Sequence, residues 1–332
     1  IDELPAPRRR PGAPRCPHPR TLRRPPVLDM SAEGQRGRAL VVMALLSLIW
    51  GYSWVVAKIA LGHAGPFQFA FLRIVIAVAA LGAWLVLTGR PVKLTHPREA
   101  MLIGSLQTAG FMLVNTWALV DGGPGKTSIL VFTMPVWVLL MGWPALGERV
   151  RGLQWVAVGL ALLGLLFIME PWRVQTTLLS KCLAVAAGML WATGVILAKR
   201  LHNRVPVDVM SFTLWQMVIG LVPTALVAWL VPAPAIDWSA TFVVALLFSG
   251  IVATGMGWIM WLYVLHRLPA GTTSLSSLAV PVIAAASSAL QLGERLRPVE
   301  LGGMIAIGAA LALVSWETAR RRQVVDPAMG QD

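Results

Sequence analysis

The chain has 332 residues, of which 57% are hydrophobic and only 13% are charged, and its mean hydropathy is +0.70. These proportions exclude an ordinary soluble protein and indicate a polytopic membrane protein. The net charge of +13 does not indicate a nucleic-acid partner, because nine of the 28 basic residues lie in the first 38 positions and most others lie in short loops between apolar segments.

The N-terminal residues 1–38 are rich in proline and arginine and lack hydrophobic periodicity, so we predict a disordered basic tail. The chain begins with isoleucine, whereas Met30 opens a stretch that leads directly into the first apolar segment. One hypothesis is that residues 1–29 are not part of the native protein. The alternative is a genuine basic cytoplasmic tail.

Ten apolar segments follow, each near the length that crosses about 30 Å of hydrocarbon. We predict spans at 39–60, 67–88, 100–119, 126–146, 152–170, 180–198, 208–231, 240–263, 270–291 and 299–317. With the N-terminus in the cytoplasm, twelve Lys and Arg residues lie on the inner side, including three in the C-terminal tail 318–332, against five outside. This distribution predicts that both termini are cytoplasmic and that the protein lies in a bacterial-type inner membrane.

Two stretches repeat each other at an offset of 146 residues: GKTSILVFTMPVWVLLMGWPALGERVR begins at Gly125, and GTTSLSSLAVPVIAAASSALQLGERLR begins at Gly271. Each has a central proline and ends with Leu-Gly-Glu-Arg before the last few residues. The repeat predicts two similar halves, 39–170 and 180–317. Because each half has five spans, an odd number, the second half must be inverted in the membrane. The predicted fold is an all-α integral membrane protein of ten transmembrane helices in two inverted five-helix repeats.

Three features resemble EamA-type members of the drug/metabolite transporter superfamily: the opening LIWGYSWVVAK (48–58), the second span from Pro66 to Arg73, and the paired Pro…LGER spans. The resemblance covers about residues 39–317. It implies secondary transport of a small metabolite, commonly export of amino acids, by alternating access through a central cavity. A nucleotide-sugar or sugar-phosphate carrier of the same superfamily is the alternative, and it would need several basic groups in the cavity. A channel or a membrane enzyme is disfavoured, because the sequence has neither charge rings nor an HExxH or GxSxG motif.

Two basic residues lie inside predicted spans, where charge is costly and usually functional. Lys58 is near the end of the first span, so two interpretations stay open: a cavity residue, or a lysine that extends to the interface. Arg73 follows Pro66 by seven residues, which places it roughly 10 Å deep. We predict that Arg73 faces inward and pairs with a substrate carboxylate or a helix-end carbonyl.

Polar and aromatic residues share faces of two other spans. The third span places Gln107, Phe111 and Asn115 at i, i+4 and i+8, and the eighth carries Thr254, Trp258 and Trp261 on a comparable face. An amide facing lipid would lack hydrogen bonds, so we predict that both faces turn inward. They either contact substrate or join helices.

Matching positions in the two halves supply the remaining cavity candidates. Trp50 and Trp191 correspond to each other and either stack on an apolar substrate or pack at the membrane interface. In the fourth and ninth spans, proline and hydroxyl residues mark places where a helix can bend and leave a carbonyl free. These residues are Thr133, Pro135, Ser276, Ser277 and Pro281.

Every carboxylate and histidine lies at a span end, in a loop or in a tail, so the sequence predicts no midplane proton relay. We interpret the Glu-Arg pairs at 148–149 and 294–295 as charged stops that fix the depth of their spans. The sequence predicts no cofactor and no metal. It predicts a small-molecule substrate and the lipid bilayer as partners, and it leaves the oligomeric state open.

Overall fold

A computed structural model describes residues 32–146, 152–170, 177–265, 267 and 279–325, and the regular secondary structure of these residues is helical throughout. The N-terminal half contains α1 (Ala32–Ala60), α2 (Pro66–Leu87), α3 (Pro97–Asp121), α4 (Pro124–Val131), α5 (Met134–Leu146) and α6 (Leu153–Met169). The C-terminal half contains α7 (Leu178–His202), α8 (Val209–Leu230), α9 (240–265), α10 (Ala279–Leu292) and α11 (Pro298–Val325).

The helices begin where the sequence offers favourable first turns. α2, α3 and α4 each have proline at the first position, where its missing N–H costs nothing and its fixed φ suits the helix. The Asp208 side chain accepts hydrogen bonds from the backbone N–H groups of Met210 and Ser211 and so caps α8. Each of the ten predicted spans overlaps described helical residues.

Helical structure extends into both predicted tails. We predicted disorder up to residue 38, but α1 already begins at Ala32. We placed the C-terminal tail at 318–332, but α11 continues to Val325. Alanine, glutamate, glutamine and arginine are good helix formers, and an apolar helix that is already nucleated extends through them at little cost. Residues 1–31 and 326–332 lie outside the described residues.

Seven helical segments are long and apolar enough to cross a membrane, and three shorter apolar helices accompany them. The seven are Gly37–Ala60, Pro66–Leu87, Pro97–Asp121, Pro124–Leu146, Leu178–His202, Val209–Leu230 and Ala240–Val264. The three shorter ones are Leu153–Met169, Ala279–Leu292 and Pro298–Val314. Within Pro124–Leu146 the chain turns at Phe132 and Thr133, just before Pro135, and this turn separates α4 from α5.

Helices of one half pack mainly on helices of the other, and most pairings occur twice with the halves exchanged. α1 packs on α9 and α10, while α7 packs on α3 and on α4 and α5. α2 packs on the middle of α9, and α8 packs on the middle of α3. α6 and α11 pack on each other along their lengths. The main hydrophobic core therefore joins the two halves into one bundle.

The middles of α3 and α9 are π-helical, over Gly104–Gly110 and Phe248–Met256. Such segments are rare and often occur at functional sites. Glycine brings each π segment against the other half: a Cβ at Gly104 would overlap the carbonyl oxygen of Gln216 in α8, and one at Gly250 would lie 2.6 Å from Cγ2 of Ile76 in α2. The two π segments are therefore places where the halves approach each other closely.

Candidate functional site

A cavity of about 130 Å³ lies between the two halves. α1, α2, α3 and the α4–α5 turn contribute its N-terminal-half wall, and α7, α9 and α10 contribute the opposite wall. Its lining is mostly aromatic and aliphatic, and Arg73 is the one charged side chain among the described lining residues. A largely apolar chamber with few polar groups is the usual form of a small-molecule site.

Six of the predicted site residues line this cavity: Trp50, Arg73, Asn115, Trp191, Thr254 and Trp258. Arg73, on α2, donates a hydrogen bond from Nε to Oγ1 of Thr254 at 2.9 Å. Thr254 in turn donates to the carbonyl oxygen of Ser249 at 2.8 Å, one π turn earlier in α9. Among the described residues, Arg73 forms no ion pair. Its guanidinium is thus held across the two halves by a neutral partner, which leaves its charge available to an anion.

Aromatic rings form one wall of the cavity. Phe111 contacts Trp191 edge-on at 4.8 Å between ring centroids, and Trp191 stacks on Trp258 at 5.9 Å with an interplanar angle of 21°. Trp50 is fixed by a hydrogen bond from Nε1 to the carbonyl oxygen of Ala253 at 2.8 Å. These rings offer a rigid, flat apolar surface beside the guanidinium.

Asn115 is the other polar side chain of note in this lining. It is only 5% exposed, and its Oδ1 has no hydrogen-bond partner among the described residues. A buried amide oxygen without a partner costs free energy, and a hydrogen-bond donor on a ligand would compensate that cost.

Comparison with known sequences identifies the family. The sequence model of the EamA-like transporter family matches residues 37–170 and again residues 178–316. The chain belongs to the EamA-like transporter family. It is therefore a multi-pass membrane protein of a transporter family, and it has the apolar helices that such a protein needs.

Curated relatives from several organisms align with this EamA-family chain along nearly their whole length. An uncharacterized transporter, YoaV, of Bacillus subtilis (strain 168) is 26% identical over 85% of this chain and 99% of its own. A probable amino-acid metabolite efflux pump of Escherichia coli (strain K12) is 27% identical over 82% of this chain and 92% of its own. A probable terminal-alkyne amino-acid exporter of Streptantibioticus cattleyicolor is 22% identical over 87% of this chain and 98% of its own.

A solved structure titled "Crystal structure of protein" has a similar fold. Its TM-score is 0.61 at 20% sequence identity, and the match covers 86% of this chain and 99% of that one. This likeness supports the helical arrangement described above.

Six predicted site residues of this EamA-family chain lie outside the cavity lining: Lys58, Gln107, Thr133, Pro135, Trp261 and Pro281. Gln107 is buried against Gly194 of α7, where a Cβ would lie 2.6 Å from that of Gln107, so it joins helices. Trp261 packs on Trp50 behind the cavity. Thr133 donates to the carbonyl oxygen of Leu130 within the α4–α5 turn. The two predicted serines, Ser276 and Ser277, lie outside the described residues.

Sequence reasoning missed other lining residues on α1. Ser53, Trp54 and Ala57 line the cavity together with Trp50. They follow Trp50 at i+3, i+4 and i+7, which is the spacing of a single helix face. This periodicity was present in the sequence and could have identified them once Trp50 was placed inside.

Lys58 supports a helix end. Its Nζ donates to the carbonyl oxygens of Leu119 and Val120, each at 2.7 Å, and these are among the last carbonyls of α3. A cation at this position satisfies carbonyls that have no helical partner and complements the helix dipole. The contact lies where α1 and α3 both end, so it is compatible with the interpretation that Lys58 extends to the interface, and Lys58 is not in the described lining of the cavity.

We expect Lys58→Met to lower the melting temperature of the detergent-purified protein by about 2–4 °C, because the lost interactions are worth about 1 kcal/mol. The KM for the transported solute should change less than twofold, since Lys58 is not in the described lining. Thermal unfolding and initial transport rates measured side by side check both parts. A large rise in KM at unchanged stability would place Lys58 at the substrate.

A dense polar network lies at one end of this EamA-family bundle, where α1 and α3 end and α4, α7 and α11 begin. We call this the distal end. Glu300 is 1% exposed, and its Oε1 lies 2.9 Å from Nζ of Lys126 and 3.2 Å from a guanidinium nitrogen of Arg297. Arg297 also pairs with the buried Glu170. The hydrogen bond to Glu300 raises the pKa of Arg297 above its ordinary value. Two carboxylates are thus buried, but both are ion-paired at the distal end.

Glu294, in the second LGER sequence, lies in the same region, and its contacts differ from those that we predicted. We interpreted it as a charged stop at the interface. Instead, its carboxylate accepts hydrogen bonds from the backbone N–H groups of Gly125 and Lys126, at 2.9 and 3.2 Å, at the start of α4 in the other half. The side chain is partly buried because those N–H groups lack helical partners and attract an anion. The corresponding pair at 148–149 lies outside the described residues.

Proposed function

We propose that this protein is a secondary transporter that carries a small metabolite across a bacterial inner membrane by alternating access between two inverted five-helix repeats. The observation that carries the proposal is the cavity between the halves, with the Arg73–Thr254 hydrogen bond spanning them. A chamber whose two walls belong to different repeats can open to either side when one repeat rocks against the other.

The inverted arrangement is supported by the contacts between helices. The pairing of α1 with α10 has its counterpart in the pairing of α7 with α5, and α2 meets the π segment of α9 as α8 meets that of α3. The family model also matches the chain twice, once in each half. We therefore assign ten crossings, with the three shorter apolar helices completing them.

The loop charges support the orientation with both termini in the cytoplasm. In that orientation the distal end faces outward. The end opposite it includes the loop segments with Arg90, Lys93, Arg98, Arg200 and Arg204. In all, twelve Lys and Arg residues lie on this side and five on the outward-facing side, and such an excess is the usual signature of a cytoplasmic face.

The substrate we propose is an amino acid or a related metabolite with a carboxylate and an apolar body. Arg73 would bind the carboxylate through charge-assisted hydrogen bonds, and Trp191 and Trp258 would cover the apolar part. The names of two relatives point the same way, since one is a probable amino-acid metabolite efflux pump and the other a probable amino-acid exporter. A nucleotide-sugar or sugar-phosphate carrier is less well supported, because the described lining has one basic residue.

In this scheme, transport depends on how the cavity positions the solute and on the removal of water from its charged and apolar groups. The guanidinium of Arg73 is held by Thr254 and lacks a counter-ion among the described residues. Binding of a carboxylate compensates the desolvated charge, and the aromatic wall excludes water around the apolar group. Because both repeats contact the bound solute, the solute favours the closed intermediate through which the two open forms interconvert.

The proposal is tested by loading cells that express the full chain with mixed amino acids and following their release. We expect selective release of one solute class, and Trp191→Ala should lower its rate at limiting concentration about five- to tenfold, because one face of the aromatic wall is lost. Trp229→Ala is the matched control, since Trp229 is 81% exposed on α8 and should leave the rate unchanged. Equal effects of both variants would count against the cavity as the transport site.

A further inference from the structure

At the distal end of the bundle, α4 contacts α10 and the segment that follows it. Gly125 packs directly on α10, where a Cβ would lie 2.8 Å from Cα of Ala285 and 3.3 Å from its Cβ. Thr127 and Lys126, next in α4, line a second, more polar cavity of about 240 Å³ together with Glu294. The start of α4 therefore touches the C-terminal half with almost no intervening side chain.

Glu294 connects the two halves at this point with both carboxylate oxygens. Oε2 accepts from the Gly125 N–H at 2.9 Å and also from the Ser288 hydroxyl, while Oε1 accepts from the Lys126 N–H at 3.2 Å. Ser288 is fully buried in α10. The carboxylate is thus held by its own half through Ser288 and holds the other half by two backbone groups.

These contacts use the residues that define the internal repeat. Gly125 opens the first copy, and Glu294 lies in the Leu-Gly-Glu-Arg sequence that ends the second. The glycine allows α4 to approach α10, and the glutamate satisfies the amides that α4 exposes at its start. The beginning of one repeated stretch is therefore joined to the end of the other across the two halves.

We propose that Glu294 is the residue that holds the external end of the substrate cavity closed, and that its hydrogen bonds to α4 break each time this end opens. This inference rests on the proposed transport function. Glu294 acts on the position of α4 and does not contact the solute, since it is absent from the described lining of the central cavity. The neighbouring Lys126–Glu300 pair closes the same end from α11.

A carboxylate is well suited to a contact that must break repeatedly. In the closed form it accepts from two amides and a hydroxyl, and in the open form water can replace all three donors. The closed form is then favoured only modestly, so substrate binding can shift the equilibrium between closed and open forms. An apolar contact of the same area would favour the closed form more strongly.

The test measures how fast a cysteine in the cavity reacts with a membrane-impermeant thiol reagent added outside intact cells. Met112 lines the cavity on α3 and is only 9% exposed, so Met112→Cys reports opening of the external end. Cys16 and the exposed Cys182 are first replaced by serine. We expect Glu294→Gln to raise the labelling rate about fivefold, because the amide NH₂ of glutamine opposes one of the two backbone donors.

Asp121→Asn is the matched control. Asp121 is an exposed carboxylate at the same end of the bundle, and its side chain forms no hydrogen bond or ion pair among the described residues. In the Asp121→Asn variant, the labelling rate of the cysteine at position 112 should stay within twofold of that in the parent. Equal rates in the parent and Glu294→Gln, or an equal rise in Asp121→Asn, would overturn the proposal.

Two further variants keep the test decisive if Glu294→Gln reaches the membrane poorly. Gly125→Ala adds the methyl group that Ala285 leaves no room for, and Ser288→Ala removes the hydroxyl that holds the carboxylate. Each should also raise labelling, and no rise in either would refute the role of Glu294. Because labelling needs no solute, a chain that transports nothing can still show gated access, which separates failure of this inference from failure of the proposed function.

Discussion

Replacing Arg73 with glutamine is expected to reduce transport about 30-fold or more, because a charge-assisted interaction worth about 2–3 kcal/mol with the solute is lost. The variant should nevertheless fold at least as well as the parent. The guanidinium is partly buried within a membrane helix, and its described side-chain partner is one neutral hydroxyl. Removing a poorly compensated charge relieves a desolvation cost of folding.

Stability and transport should therefore change in opposite directions, and this separates a binding residue from a structural one. Thermal unfolding in detergent and initial transport rates at matched membrane abundance give the two values. Arg73→Lys keeps the charge but not the planar fork, so we expect an intermediate loss of about tenfold. Arg98→Gln removes an exposed arginine at the start of α3 and should change neither value.

A transport loss that only follows a loss of folded protein would make Arg73 a structural residue. Unchanged transport in Arg73→Gln would remove it from the site altogether. A larger loss in Arg73→Lys than in Arg73→Gln would show that charge itself is unfavourable in the cavity, and a carboxylate would then be the wrong substrate group.

The helical segments were predictable from sequence because an apolar run of about 20 residues has few alternatives in a membrane. Arg73 was predictable for the same reason, since a charge that deep must face protein or water. The rotation of each helix was harder to predict. At α-helical spacing Gln107 and Asn115 would share a face of α3, yet only Asn115 lines the cavity while Gln107 packs on Gly194. Gln107 lies in the π segment Gly104–Gly110, whereas Asn115 lies in the α-helical part of α3. A π-helix has more residues per turn than an α-helix, so the two side chains do not point in the same direction.

The role of Glu294 shows a different limit. Its repetition at 148 and 294 was visible, and so was that of the glycines at 125 and 271. The pairing between Glu294 and Gly125 joins residues 169 positions apart and depends on how the two halves pack. Hydropathy describes each helix alone and contains no information about that packing, so the sequence supported only the simpler interpretation of a charged stop.

The close approach of α3 and α8 leads to the second large effect. We expect Gly104→Ala to destabilise the protein by about 3 kcal/mol or more and to lower its melting temperature by about 10 °C. The added Cβ would overlap the carbonyl oxygen of Gln216, which belongs to the backbone of α8 and cannot rotate away. Gly220 crosses at the same place, with its Cβ position 2.9 Å from the carbonyl oxygen of Gly104, so the two helices cannot separate locally.

Alanine substitutions at two other glycines allow the size of this effect to be compared. Gly250→Ala, at the corresponding crossing of α9 and α2, should also destabilise the protein, because the Cβ of Ile76 would lie at 2.7 Å and does not move when that side chain changes rotamer. The effect should be smaller than that of Gly104→Ala, whose nearest neighbour is a backbone oxygen. Gly159→Ala on α6 meets no atom within 4 Å and should be neutral or stabilising by up to about 1 kcal/mol. Thermal unfolding of the three variants in one detergent gives the order directly. If Gly104→Ala were as stable as Gly159→Ala, the π segment of α3 would not pack on α8 as described, and the position of α3 in the bundle would be wrong.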